Sequence, residues 1–454
     1  MVILREIPGT KKAQMPFSFE ATRSGEMQEW AGIAVDIGTT TIAAYLWDFG
    51  RGELSMTLSE ENCQTVLGTD VMMRIMHSVR GKGQALHKML VEQVEKMCER
   101  MITAWSDGVP VPDDKIKMSV VGNPAMCHFF LGKDVSGLAG APFLGAYTGN
   151  YSCSGGDVGF VRRKRIGITV LSGIAAHVGG DALAMYGAVE KQGDTGTRLL
   201  VDLGTNAEII LIRRGKIYCC STAAGPALEG KGISCGMRAG AGAVTGVKIA
   251  KKTGNIVLAH LPGKMPAGLT GTGVLELIEQ LRRCGILTVD GYLKRQEEIL
   301  ELGISPALFG CVVKKDEKWG FQVYRGKKEI ILFQEDIRNI QLAKGAILAG
   351  IQCMLDSCGL SDGDVDDVAV AGAFGSSLQE ETAVRLGVFP AGFRGKISFV
   401  GNAAGQGAVK MLLDPGFAAR MEARAGDMVH VELAEKETFK KYLLQGMELR
   451  EYPE

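Results

Sequence analysis

Two aspartates, Asp36 and Asp202, each lie near the end of an apolar run and are each followed by Gly-Thr after one residue. The stretches read IAVDIGTTTI from residue 33 and LLVDLGTNAEII from residue 199. A carboxylate at such a turn can hold Mg²⁺, directly or through water, and can orient an attacking water molecule. We therefore interpret Asp36 and Asp202 as candidate metal ligands and catalytic residues.

The turns after these aspartates carry groups that bind phosphate. Glycine leaves the backbone amides unobstructed, and the neighbouring threonines add hydroxyl donors. The expected phosphate-binding residues are Gly38, Thr39, Thr40, Gly204, Thr205 and Asn206. A single copy of this pattern is more simply read as a turn that closes a hairpin. Two copies at the start of two successive halves favour a nucleotide held between duplicated lobes.

Two further glycine-rich segments extend the candidate site. The strand-like run from Val368 enters a bare turn, in which Gly372 and Gly375 would allow an adenosine to lie against the backbone. The segment GPALEGK from Gly225 nearly spells a P-loop, but a glycine follows where Ser or Thr would hold Mg²⁺. We instead place Gly225 and Glu229 near the phosphates, where Glu229 is either a metal or water contact or a plain loop carboxylate.

Composition limits the classes of function. The 454 residues exceed one compact core, and the formal net charge of zero argues against a nucleic-acid binder. There is no uncharged apolar run near the ~20 residues of a membrane span, and the start lacks the plan of a signal peptide. We expect a soluble, cytoplasmic protein. Eleven scattered cysteines without a Cys-x-x-Cys pair are expected to be reduced and to pack as small hydrophobic residues.

The elements that must position these residues follow from periodicity and turn residues. Each aspartate lies in a β-hairpin, and the second hairpin continues into a third strand, as a meander does. Helices are predicted after Asp70, around residues 86–102, 175–189, 273–283 and 335–355, and from Ser377. Lys344 is interpreted as a solvated helix charge in preference to a nucleotide contact, and the charged tail is expected at the surface.

These elements predict an α/β protein of three parts. Residues 1–30 are a lead-in or linker, and residues 31–165 form the first lobe with an inserted glycine-rich region. Residues 166–454 form the second lobe, which contains the adenosine motif and the C-terminal tail.

The order of the three motifs resembles the acetate and sugar kinase, heat-shock chaperone and actin superfamily. Within it, the flanking residues look like those of the reductive activators of corrinoid proteins. The residues that carry this resemblance are Asn62-x-Gln64, Gly68-x-Asp70-Val71-x-x-Arg74-Ile75, Val121-Gly122-Asn123-x-x-Met126-x-His128, Ala224-Gly225-Pro226-Ala227-x-Glu229-Gly230, Ile233-Ser234-Cys235-Gly236-Met237-Arg238-Ala239, Asp336-Ile337-Arg338, Gln341-x-Ala343-Lys344-Gly345-Ala346-Ile347 and Gly401-Asn402-Ala403.

The resemblance implies two ribonuclease-H-like lobes of the actin-like ATPase superfamily, with a nucleotide cleft between them. It implies ATP and Mg²⁺ as ligands, and a corrinoid protein or corrinoid-dependent methyltransferase as partner. The activity implied is ATP-driven reduction of inactive Co(II) corrinoid to Co(I). A homodimer is compatible with the sequence, whereas nucleic-acid and membrane partners are not expected.

One departure from the resemblance concerns electron transfer. Family members of this type carry an iron–sulfur domain, but this sequence has no matching cysteine cluster, so no iron–sulfur cluster is predicted. Three explanations stay open: a separate electron donor, a module removed from the sequence, or a relative that couples ATP to another conformational task. Two rival functions remain beside the activator, namely a small-molecule kinase and a non-redox regulatory or scaffolding protein.

Overall fold

The computed structural model describes residues 2–6, 31–175, 177–190, 196–372, 378–433 and 436–451. The strands are β1 Val2–Glu6, β2 Ala31–Ile37, β3 Thr41–Asp48, β4 Glu53–Glu61, β5 Ile116–Gly122, β6 Tyr151–Ser154, β7 Gly167–Val170, β8 Thr197–Leu203, β9 Ala207–Arg213, β10 Lys216–Thr222, β11 Ala243–Ile249, β12 Ile256–His260, β13 Gly268–Leu269, β14 Val312–Lys315, β15 Lys318–Tyr324, β16 Ile330–Phe333, β17 Asp367–Ala371, β18 Ile397–Gly401 and β19 Met428–His430. The α-helices are α1 Val71–His77, α2 Gly83–Trp105, α3 Pro124–Phe130, α4 Gly180–Val189, α5 Gly271–Cys284, α6 Gln296–Leu300, α7 Gln334–Ser357, α8 Glu380–Arg385, α9 Ala403–Leu413, α10 Phe417–Asp427 and α11 Glu437–Gly446.

Two six-stranded sheets repeat one plan. Their strand orders are β4-β3-β2-β5-β7-β6 and β18-β17-β8-β9-β10-β19. In each sheet an antiparallel meander of three strands is extended by a parallel strand that pairs with its first strand, and a second parallel strand pairs with that one. The two sheets confirm the predicted α/β fold with two lobes, and they explain why the sequence contains two similar hairpins.

Apolar strands and amphipathic helices form the core of the first lobe. β2 is buried along nearly its whole length, as expected of a strand covered on both faces. On one face lies α2, whose helically spaced Leu86, Leu90, Val94 and Met101 are fully buried. Burying each such side chain contributes roughly 1.5–3 kcal/mol. The predicted helix after Asp70 is α1, and the Asp70 carboxylate caps it by accepting from the Met73 amide at 2.8 Å.

Helices α4 and α9 pack against each other between the two sheets. α4 follows the last parallel strand of the first sheet, whereas α9 follows β18 of the second sheet and covers β2 and β5 of the first. Gly407 permits this approach, because a Cβ there would lie 2.2 Å from the Ala184 carbonyl oxygen. The expectation of a surface tail is therefore wrong for α9, where Ala404 and Val409 are buried.

Smaller sheets flank the second lobe. One has the order β1-β12-β11-β13, and the other has the order β14-β15-β16. The predicted lead-in thus contributes a strand, because β1 pairs in parallel with β12. β7 pairs with β5, so the first sheet extends to Val170, beyond the predicted boundary at residue 165. The division of the chain into domains otherwise stays a prediction.

Other composition-based expectations concern membranes and cysteines. Within the described ranges, no helix is long and apolar enough to cross a membrane. All cysteines are free thiols, and most are buried, which confirms their expected packing role for Cys98, Cys127, Cys219, Cys220, Cys235, Cys284 and Cys353. Burial raises the pKa of the Cys235 thiol to about 12, so this side chain stays neutral.

Candidate functional site

The two sequence-predicted aspartates occupy equivalent places in the two sheets. Asp36 lies beside Val121 in the parallel pair β2–β5, and Asp202 lies beside Ala371 in the parallel pair β8–β17. Burial raises the pKa of Asp36 to about 6 and that of Asp202 to about 8. The Asp36 charge contributes to the Asp202 shift, so the structure brings the two carboxyl groups within electrostatic range across the lobes.

Two further carboxyl groups join them, and sequence reasoning missed both. Asp181 begins α4 and accepts from the Ala182 amide at 2.8 Å. Burial and the Asp36 charge raise the pKa of Asp181 to about 7. Glu208 lies directly opposite Asp202 in the β8–β9 register, and burial raises its pKa well above the usual range.

A signal for both was present in the sequence. Glu208 stands in the returning strand of the second hairpin, in an otherwise apolar run. Asp181 is the acidic residue in the first half of the helix predicted around residues 175–189. Charged residues in apolar runs are rarely buried without a function or a partner.

The turn of the first hairpin is held by side chains from the rest of the first lobe. The buried Arg74 guanidinium donates to the Thr39 carbonyl oxygen at 2.6 Å, and Asn62 Nδ2 donates to the Gly38 carbonyl oxygen at 2.9 Å. Asn123 Nδ2 donates to Thr39 Oγ1 at 2.9 Å. The Gly38 amide closes the turn onto the Thr41 carbonyl oxygen at 3.0 Å. The turn is thus fixed before any ligand binds.

A loop of the second lobe contacts the same turn. Thr40 Oγ1 donates to Glu229 Oε2 at 2.8 Å, and the Thr40 carbonyl oxygen accepts from Lys231 Nζ at 3.3 Å and from Arg238 Nη2 at 3.1 Å. Burial raises the pKa of Glu229. Glu229 is therefore a contact between the lobes, a role that neither sequence interpretation included.

The turn of the second hairpin has fewer supports. The Gly204 amide bonds to the Asn206 carbonyl oxygen at 3.1 Å, and the Gly225 amide bonds to the Thr205 carbonyl oxygen at 2.7 Å. Thr205 Oγ1 is buried without a hydrogen-bond partner among the described residues. Asn206 faces Val71 and Asn123 of the first lobe across a narrow gap.

Gly372 lies against Asp202, where a side chain would not fit. Its φ is +99°, and a Cβ there would lie 2.4 Å from the Leu203 carbonyl oxygen and 3.0 Å from Asp202 Oδ1. The other glycine of the predicted adenosine turn, Gly375, lies outside the described residues.

Asn402 links the second lobe to the first carboxylate. Its Nδ2 donates to Asp36 Oδ2 at 2.7 Å, while its Oδ1 caps α9 by accepting from the Gly405 amide at 2.8 Å. This bond lowers the pKa of Asp36 and partly offsets the effect of burial. Sequence analysis included Asn402 only in the family resemblance and gave it no role.

The residues present fit a magnesium nucleotide. Four buried carboxyl groups with raised pKa values, namely Asp36, Asp181, Asp202 and Glu208, interact electrostatically, and a nearby cation would relieve their repulsion. Thr205 offers an unpaired hydroxyl, and the bare backbone at Gly372 leaves room beside Asp202. Over the described ranges no three acidic, His or Cys side chains converge to hold a metal directly. Mg²⁺ commonly keeps several waters and uses one or two carboxylates plus phosphate oxygens.

Comparisons with known proteins agree with this geometry. Residues 31–192 match the model described as the RACo middle region, and residues 196–453 match the model described as the C-terminal domain of RACo, the ASKHA domain. The corrinoid activation enzyme RamQ of Eubacterium limosum is 32% identical over 422 residues, which cover 92% of this chain and 70% of that protein. A [Co(II) methylated amine-specific corrinoid protein] reductase of Methanosarcina barkeri is 25% identical over 93% of this chain and 78% of its own length.

A solved structure agrees as well. The reductive activator for corrinoid, iron-sulfur protein superposes with a TM-score of 0.84 at 27% identity, over 94% of this chain and 67% of its own. The expected superfamily and the family resemblance are both confirmed by these matches. The chain belongs to the RACo family, and its C-terminal part is the ASKHA domain of that family.

Proposed function

We propose that this chain is an ATP-dependent activator that helps to return a corrinoid protein from Co(II) to Co(I). The observation that carries the proposal is the match over 92% of the chain to a protein named as a corrinoid activation enzyme. The cluster of buried carboxyl groups between two phosphate-binding turns supports the ATP-dependent part. The partner is a corrinoid protein or a corrinoid-dependent methyltransferase.

In this proposal the two turns hold the nucleotide. Asp36 and Asp202 hold Mg²⁺, which supplies charge neutralisation at the phosphates. The Gly38 and Gly204 amides close their own turns, and the Thr40 hydroxyl donates to Glu229. The phosphate oxygens are therefore bound by other amides of the two turns and by the hydroxyls of Thr39 and Thr205, and Asn206 lies beside them. Gly372 and Gly375 flank the adenosine, while Gly225 and Glu229 close the phosphate end.

Asp181 is the residue best suited to accept a proton from an attacking water molecule. It is buried at the start of α4 and interacts with the charge of Asp36, so it lies beside the proposed metal site. Its position at the start of α4 also connects it to the helix pair between the lobes. Proton uptake there would therefore occur on an element that both lobes contact.

The contacts of Thr40 with Glu229 and Lys231 supply the coupling to movement. A ligand shifts a conformational equilibrium only by its different affinity for the two states. A nucleotide that contacts both turns has its highest affinity for closed lobes, and hydrolysis weakens that preference. In the proposal this cycle changes how the protein holds its corrinoid partner, while a separate donor transfers one electron to Co(II).

The test is an assay of ATP hydrolysis with and without a corrinoid protein, together with the absorbance change from Co(II) to Co(I) under a chemical reductant. We expect hydrolysis and Co(I) formation to depend on each other, and Asp202→Asn to abolish both. The proposal is contradicted if the rate of hydrolysis does not change when the corrinoid protein is added and the amount of Co(I) formed does not depend on ATP.

The same assay separates the two alternatives. A small-molecule kinase transfers the phosphoryl group to an acceptor and releases no inorganic phosphate. A regulatory or scaffolding protein binds ATP, yet neither hydrolyses it appreciably nor changes the cobalt oxidation state.

A further inference from the structure

A cavity of about 380 Å³ reaches the start of α4, the helix that carries Asp181 of the carboxyl cluster. Its walls come from α3, the glycine-rich segment that follows, the residues after β7, and α10 of the second lobe. This volume is typical of pockets that enclose a small organic molecule. Neither the two phosphate-binding turns nor the proposed electron transfer makes use of it.

The charges around the cavity favour a cation. Among the described lining residues Glu422 is the one charged side chain, and neither lysine nor arginine lines the walls. Glu422 Oε1 accepts from the Asn150 amide at 3.2 Å, a single bond that leaves acceptor capacity at the carboxylate. The described lining therefore carries a net negative charge, which favours a cation over an anion.

Aromatic rings supply a second preference for cations. The rings of His128 and Tyr147 lie with their centroids 4.7 Å apart, and Phe143 adds a third ring to the wall. Phe143 has a φ of +54°, an uncommon conformation for a bulky residue that is found more often at functional sites. The faces of such rings attract organic cations, above all those with methyl groups around the charge.

His128 contributes a neutral ring and no competing charge. Its Nδ1 lies 2.6 Å from the Pro124 carbonyl oxygen, and its Nε2 accepts from the Ala146 amide at 2.9 Å. These partners require the proton on Nδ1 alone. Burial lowers the pKa of His128, which keeps the ring uncharged at neutral pH.

The cavity thus combines one acidic side chain with aromatic faces. We propose that this cavity binds a small organic cation, with its charged nitrogen held between the Tyr147 ring and the Glu422 carboxylate. Because Glu422 lies on α10 of the second lobe and Tyr147 belongs to the first lobe, the bound cation contacts both lobes. The site is distinct from the nucleotide turns, so its failure would leave the proposed function intact.

The test is a calorimetric titration of the full chain with choline and, in parallel, with 3,3-dimethyl-1-butanol. The two probes have the same shape and hydroxyl group, but only choline carries a positive charge. We expect choline to bind about tenfold more tightly or better, in line with a partly desolvated cation over aromatic rings. Equal affinities, or no heat from choline up to ~10 mM, overturn the proposal, because millimolar affinity is already weak for a formed site.

Substitutions locate the binding. Glu422→Gln is expected to weaken choline binding about tenfold and to leave the neutral probe unchanged. Asp427→Asn on the same helix, outside the cavity, serves as the matched control and should change neither. Loss of choline binding in the control, or its retention in Glu422→Gln and Tyr147→Leu alike, places the cation elsewhere and contradicts the assignment.

Discussion

The turns of the two hairpins have the same sequence motif but differ in how the protein holds them. The turn at Gly38 is braced by Arg74, Asn62 and Asn123, and Asp36 accepts a hydrogen bond from Asn402. In the turn at Gly204, Thr205 Oγ1 has no partner within the described ranges, and every influence on Asp202 raises its pKa. The first turn is completed by protein groups, whereas the second depends on a ligand.

This difference indicates that the two lobes have different roles in binding the nucleotide. A braced turn offers a rigid platform for phosphate, because its amides need no rearrangement on binding. An unsatisfied turn gains more from a cation and a nucleotide than a satisfied one does. The second lobe should therefore respond most strongly when the ligand arrives or leaves.

The largest expected effect comes from replacing Asp202 and Asp36, one at a time, by asparagine. Asp202→Asn should lower ATP turnover about 100-fold or more, since no protein group substitutes for the lost charge at the metal. Asp36→Asn should cost only about tenfold, because Asn402 continues to hold its side chain. Steady-state hydrolysis rates of the two variants make the comparison. Equal losses of turnover in the two variants would show that the two turns contribute equally, and would contradict the proposed difference between the lobes.

The pH dependence of stability tests the same asymmetry without ligand. A carboxyl group whose pKa rises from 3.8 to about 8 on folding binds its proton more tightly in the folded state. The free energy of unfolding should therefore fall as the pH rises from about 4 to about 8. Asp202→Asn should reduce this fall by on the order of 2 kcal/mol in denaturant titrations without Mg²⁺. If the free energy of unfolding of the variant depends on pH as it does in the wild type, ionisation of Asp202 does not destabilise the folded state.

A smaller effect is expected at the contact between the lobes. Thr40→Val removes the hydroxyl that donates to Glu229 at 2.8 Å and should lower turnover about tenfold, because a hydrogen bond to a charged group contributes roughly 1.5–3 kcal/mol. The control is Thr57→Val on exposed β4, which should leave the rate unchanged. If both variants keep the wild-type rate, the contact does not contribute to closure.

The smallest effect concerns Asn402. Asn402→Ala removes the donor that lowers the pKa of Asp36, so the acid limb of the activity profile should move to higher pH. Near pH 6 we expect a loss of a few-fold, which disappears at higher pH where Asp36 is ionised in both proteins. Asn339→Ala, which loses one exposed bond to the Gly232 carbonyl oxygen, should leave the profile in place. A uniform loss at all pH values would assign Asn402 a purely structural role.

The sequence predicted the local features of this molecule better than its long-range ones. Both hairpins, the helix after Asp70 and the strand at residues 367–371 follow from patterns that neighbouring residues determine. Asp36 and Asp202 were identified because each motif is contiguous. Asp181 was missed because its approach to Asp36 and Asp202 arises only when α4 packs between the assembled sheets. Glu208 lies in the same hairpin as Asp202, so its position in an apolar run was a local signal that the motif alone did not include.

Lys344 and α9 show the same limit. Lys344 was interpreted as a solvated charge, yet it is fully buried and donates to the carbonyl oxygens of Gly387 and Gly446. Those carbonyl groups come from segments far along the chain, so no local pattern reveals them. In α9 the small residues that permit close helix packing give only a weak hydrophobic periodicity. The sequence analysis therefore did not predict this helix and included the segment in the charged surface tail.

In the proposed function the turns at Gly38 and Gly204 hold ATP through Mg²⁺ at Asp36 and Asp202. A calorimetric titration of ATP into the intact protein tests this binding, with Mg²⁺ and with a chelator, in buffers of different ionisation enthalpy. We predict binding that requires Mg²⁺ and releases protons near pH 7, because a bound cation lowers the raised pKa of Asp202. Binding of equal strength in the chelator, or Mg²⁺-dependent binding without proton release, would contradict the account.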